Sequence, residues 1–192
     1  MKKKLLILSV LVICIATLAG GTIAYFTSEG RAHNVITTGG VEIELREWAD
    51  ADRETPFKDV SGVMPGAAVT KIVEVKNTGS APAWVRVSVD KNVKLANGEV
   101  SKNDRFVELN INDKAWTLRD GYYYYNTALA AGETTEPLFT TVTFDVTMNN
   151  AYQNSTATVD VYAQAVQTAN NGSTALIAAG WPETTTQGGN NS

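Results

Sequence analysis

The chain has 192 residues, with 16 Lys+Arg against 20 Asp+Glu and a net charge of −4. That length suits one ordinary domain with a core of its own. An acidic chain without a basic cluster argues against nucleic acid as a partner and against electrostatic docking on an anionic lipid surface.

Lys2, Lys3 and Lys4 precede an apolar run from Leu5 to Leu18, and small residues follow, Ala19-Gly20-Gly21-Thr22-Ile23-Ala24. A positive start, an apolar centre and a small-residue exit are the parts of an export signal. The run is shorter than the roughly 20 residues of a comfortable membrane span. The preferred cut is after Ala24, before Tyr25, which makes residues 1–24 a signal peptide and the product secreted or held at the cell surface. An uncleaved signal anchor is the alternative. Cleavage removes three lysines and no acid, leaving 13 basic residues against 20 acidic ones. The one cysteine, Cys14, lies inside the apolar run with Ile13 before it, where a lipidation motif wants a small residue. The mature chain then has no disulfide, and core packing and strand pairing must supply its stability.

Helix signals nearly vanish after residue 24. Val41, Ile43 and Leu45 alternate with Glu42, Glu44 and Arg46, the period of a half-buried strand. Val69, Val73 and Val75 share a parity that Lys71 breaks, and the run ends at Asn77-Thr78-Gly79-Ser80, a turn cluster. Val85, Val87 and Val89 form another alternating set, as do Val107, Leu109 and Ile111. Trp116 to Leu118 and Tyr122 to Tyr125 flank Asp120-Gly121, a hairpin signal. Val142, Phe144 and Val146 make one more face, and Val159, Val161, Ala163 and Ala165 the last. About eight short strands with turn signals between them predict an all-β fold, an antiparallel, jelly-roll-like β-sandwich over 41–169. Residues 25–40 stand before it as a separate segment. Residues 170–192, rich in Asn, Gly and Thr, read as a weakly ordered tail with one apolar patch from Ala175 to Trp181.

Several of these features together resemble the TasA/camelysin family of exported bacterial proteins. They are the signal ending Gly20 to Ala24, then Tyr25-Phe26-Thr27, Asn34 and the strand Val41 to Leu45. Downstream come Met64-Pro65-Gly66, Val73 to Ser80, Tyr122 to Asn126 with Gly132-Glu133, and Val161 to Gln167. The resemblance implies export through an ER-type signal peptidase and a jelly-roll-like sandwich. It further implies a homo-oligomeric extracellular fibre, in which the segment after the cut is donated to the next subunit as a strand. Here that segment is Tyr25 to about Thr38, with Phe26, Val35 and Ile36 as candidate donor residues. Gly39-Gly40 makes a flexible joint behind them. The alternative is that the same segment pairs within its own domain or stays loose. A minor anchoring subunit is a further candidate partner, which the sequence leaves open.

Camelysin-like members also carry a metallopeptidase label. A catalytic zinc takes three protein ligands, mostly His, and this chain has one histidine, His33. It has no His-Glu-x-x-His motif and no Gly-x-Ser-x-Gly elbow. The expectation is no catalytic residue, no metal and no cofactor. Asp50, Asp52, Glu54 and Asp59 cluster in a loop but lack EF-hand spacing, so they read as a solvated acidic loop. Alternation sends Tyr122 and Tyr124 to one face and Tyr123 and Tyr125 to the other, so a sugar-stacking platform there is less expected than a core pair with an outer pair. The leading expectation is a structural fibre subunit. A monomeric adhesin or carbohydrate-binding sandwich is the runner-up, and a metallopeptidase the remote third.

Overall fold

The computed structural model describes residues 41–58, 64–102, 104–152 and 154–182, and the backbone of residues 34–37. All belong to one of the chain's two compact units, His33–Ser192. The signal segment, the Ala24–Tyr25 cut, Phe26, His33 and Asp59 lie outside the described residues.

Ten strands are described: β1 Asn34–Thr37, β2 Ile43–Trp48, β3 Ala68–Asn77, β4 Ala83–Lys94, β5 Val100–Lys102, β6 Val107–Leu109, β7 Trp116–Arg119, β8 Tyr122–Tyr125, β9 Phe139–Phe144 and β10 Thr156–Gln167. They form two sheets, β1-β10-β4-β8-β7 with β5 added on β4, and β2-β3-β9-β6. Every pairing is antiparallel except β1 with β10. The all-β sandwich is thus the fold. The two strands beyond the eight expected ones, β1 and β5, have four and three residues, too few to show a period.

The inward-facing valines of β3, β4 and β10 meet Trp116, Leu138 and Phe139 in one core. A fully buried side chain of this kind is worth about 1.5–3 kcal/mol. The β7–β8 turn is the expected one: Asp120 and Gly121 both have positive φ, 50° and 80°, as a type I′ hairpin requires. Tyr123 and Tyr125 pack against the core, while Tyr122 and Tyr124 join a second cluster on the outer face.

One expected face ends early. Val146 is 75% exposed and does not continue the Val142–Phe144 face. The Asp145 carboxylate accepts from the Thr147 amide and hydroxyl, both at 2.7 Å, and this turn stops β9 at Phe144.

The turn cluster after β3 closes around a buried asparagine. Asn77 Nδ2 donates to Ala81 O at 2.8 Å and Leu129 O at 2.9 Å, and its Oδ1 accepts from Gly79 N at 3.0 Å. The Thr78 and Gly79 amides donate to Glu42 O. A Cβ on Gly79 would stand 3.0 Å from Glu42 N, so this close approach favours glycine.

Asp104 pins the end of the β4–β5 hairpin to the loop before β10. It is 3% exposed and accepts from Phe106 N at 2.8 Å and Tyr152 Oη at 2.9 Å. Burial pushes its carboxyl up, but hydrogen bonds from Ser101, Phe106 and Tyr152, with the charge of Lys91, outweigh that and hold it below the usual range. A lowered folded pKa contributes stability above the unfolded value of about 3.9, lost as pH falls through the folded value. Asp104→Asn is expected to cost about 2 kcal/mol at neutral pH. It should also flatten the acid limb of a denaturant-derived stability curve below about pH 4. An unchanged acid limb would count against this role.

The tail differs from its sequence reading over 170–182. Asn171 Nδ2 donates to Gln167 O and Ala179 O, its Oδ1 accepts from Ala179 N, and these bonds close a compact loop. The loop lies on the outer face, where the Trp84 indole donates to Asn171 O at 3.0 Å and Ala175 is buried. The apolar patch had a partner surface that composition does not reveal.

Candidate functional site

Strand β10 has twelve residues, and β4 pairs with all of them, from Thr156↔Lys94 to Gln167↔Ala83. On its other side β1 covers four, with Asn34↔Tyr162, Val35↔Ala163, Ile36↔Gln164 and Thr37↔Ala165. Among the described residues no strand pairs with Thr156–Val161 on that side. A parallel pair is slightly less stable per residue than an antiparallel one. The edge is therefore covered by a short strand of the weaker kind, over one part of its length. Two candidate donor residues, Val35 and Ile36, lie in that strand and pair with their own chain.

Below the uncovered part the sandwich opens into a small cleft of about 30 Å³. Val69, Val142, Phe144, Ala157 and Val159 give it apolar walls, and Phe57 and Lys71 complete it. Lys71 is the residue that broke the parity of β3, and its side chain is 4% exposed. Its ammonium donates to Val159 O at 3.0 Å, pairs with Glu47 at 2.9 Å and lies 4.3 Å from the Phe57 ring centroid. It thus ties β3 and β2 of one sheet to β10 of the other. A charge at an exposed edge is one means by which sheets resist unwanted strand addition.

The outer face of the larger sheet holds a different constellation. Arg86 of β4 lies 3.9 Å from the Tyr122 ring centroid and 4.6 Å from that of Trp181. Its Nε donates to Gln164 Oε1 at 2.7 Å, Nη1 to Tyr124 Oη at 3.2 Å and Nη2 to Pro182 O at 3.4 Å. Nothing in the sequence marked Arg86 or Gln164, because both sit at ordinary outward positions of alternating strands. Trp181 had only the tail's apolar patch as a signal.

No three His, Cys, Asp or Glu come together among the described residues in a way that could hold a metal. In the acidic loop, Asp50 accepts from the amides of Glu54 at 3.0 Å and Thr55 at 2.8 Å. Bonds from the Thr55 hydroxyl and the Glu54 amide hold its carboxyl below the usual range. These bonds close the loop on itself.

The sequence model of the camelysin metallo-endopeptidase family matches residues 1–137. No curated protein and no solved structure matches the chain. The family description implies a catalytic metal, and the described residues do not offer a ligand set that fits one. The match covers the signal-like start and the strands through β8, which hold every part of the resemblance but Val161 to Gln167, and on it the chain belongs to the TasA/camelysin family.

Proposed function

We propose that this protein is an exported structural subunit, cut after Ala24 by a signal peptidase, which assembles with copies of itself into extracellular or cell-surface fibres by strand donation. The observation that carries the reading is the β10 edge. Its cover is a four-residue parallel strand, no described strand pairs with the rest of that side, and an apolar cleft lies beneath. A strand from a second copy gains main-chain hydrogen bonds along such an edge and pockets for alternate side chains. The donor is the segment from Tyr25 to about Thr38, and Phe26 is its bulkiest apolar residue. In the free subunit β1 occupies the edge in cis, so assembly exchanges a short parallel pairing for a longer one in trans.

The reading is non-enzymatic. A protease would need ligands that the described residues do not assemble, and the single His33 does not make a three-ligand site. Casein cleavage that survives His33→Ala and chelation would not be zinc chemistry at that residue.

Deleting residues 25–38 is the direct test. Electron microscopy of the secreted protein at rising concentration should show polymers for the parent and monomers for the deletion. A parent that stays monomeric throughout, or a deletion that still polymerises, overturns strand donation.

A further inference from the structure

We infer that the outer face of β4, β8 and β10 carries a receptor for a single carboxylate, of the kind that a uronic-acid unit of a saccharide presents. It lies on the opposite face of the sheet from the cleft, and its argument does not depend on strand donation.

The site is an arginine held in place, with no counter-charge among the described residues. Tyr122 and Trp181 lie over the guanidinium, at 3.9 and 4.6 Å from their ring centroids, which fixes its plane. A guanidinium has five N–H donors, and here Gln164, Tyr124 and Pro182 take one each. Two remain. No carboxylate among the described residues forms an ion pair with Arg86.

The second observation is independent of that count. Gln164 is 1% exposed, and its Nε2 has no hydrogen-bond partner. The orientation of the amide is set, because its oxygen accepts from Arg86 Nε at 2.7 Å. The unpartnered NH2 is therefore the other half of an amide head lying against the guanidinium. A buried donor left in this state costs about 1–3 kcal/mol. A bound oxyanion supplies what both groups lack, accepting from the guanidinium and the amide together. Planar carboxylates match the guanidinium fork.

The way in is through the tail. The Arg86–Pro182 bond, at 3.4 Å, is the longest that the guanidinium makes, and a ligand oxygen displaces it at least cost. Trp181 and Tyr122 are half-exposed and set apolar ring surface beside the charge, as saccharide sites do. The mature chain's excess of 20 acidic over 13 basic residues works against a polyacidic peptide, whereas one carboxylate with its own donors suffers little repulsion.

The test is a calorimetric titration of the protein with digalacturonate, with the neutral disaccharide galactobiose and the dipeptide Glu-Glu as comparison ligands. Binding of digalacturonate in preference to both, with a shift of the Gln164 side-chain amide signal in NMR, is the expected result. Arg86→Met should weaken it by roughly tenfold or more. Because that change also loosens the tail, Gln164→Glu is the sharper variant. It places a carboxylate beside Arg86 in cis, should leave the thermal midpoint unchanged or higher, and should weaken digalacturonate binding by a similar factor. Equal binding of galactobiose, no binding at all, or unchanged binding by Gln164→Glu overturns the site. Preference for Glu-Glu overturns the saccharide assignment.

Discussion

Val35→Cys combined with Ala163→Cys is expected to hold the chain as a monomer under oxidising conditions and to release it to polymerise when a reductant is added. The two positions are opposite each other in the β1–β10 register, and adjacent strands run about 4.8 Å apart, within disulfide reach. Ala163 faces the core and is fully buried, so the bond would lie inside the sandwich. The background is clean, because the one native cysteine, Cys14, falls in the signal segment. The oxidised form keeps β1 on its own β10, and strand exchange requires that β1 leave. Sedimentation and electron microscopy of the oxidised and reduced forms read the outcome directly. If the oxidised form polymerises as well as the parent, the cis strand need not move and exchange at this edge is wrong. Together with the 25–38 deletion this separates two ideas. The deletion asks whether the segment is needed, and the cross-link asks whether it must change partner.

Lys71→Ala is expected to cost about 3 kcal/mol, the lower end for breaking a buried ion pair. The change leaves Glu47 without its cation and removes a donor from Val159 O. For a domain of this size that corresponds to a fall of roughly 6–12 °C in the thermal midpoint. The double change Lys71→Met with Glu47→Leu should cost about 1 kcal/mol or less. An apolar pair avoids desolvating two charges, and the cleft walls are already apolar. A single change costing under about 1 kcal/mol, or additivity in the double, would show that Lys71 and Glu47 are not a coupled buried pair. The double variant also bears on assembly. It removes the ammonium at the open part of β10, so if that charge restrains strand addition, the variant should polymerise at lower protein concentration than the parent.

Some of this molecule is written locally. Val85, Val87 and Val89 read as one buried face because alternation over a few residues reports which side of a strand meets a core, whatever the partner. The β7–β8 hairpin is likewise local, since Asp120-Gly121 adopts its positive φ values within four residues of chain.

What escaped the sequence depends on residues far apart along it. Lys71 stood out as a break in parity, but its reason is an oxygen on Val159 in the opposite sheet. Val146 continued a pattern that Asp145 ends. Arg86 and Gln164 meet across two strands, under a tail whose composition suggested no packing. The sequence by itself determined eight of the ten described strands, the tight turn, the family and the signal-like start, because each is set by neighbours in the chain. Only the tertiary structure decided which edge β1 covers, where the sandwich stays open, and that Arg86 gathers aromatic rings on the outer face. Those follow from strand order and register, which bring together residues that no local pattern connects.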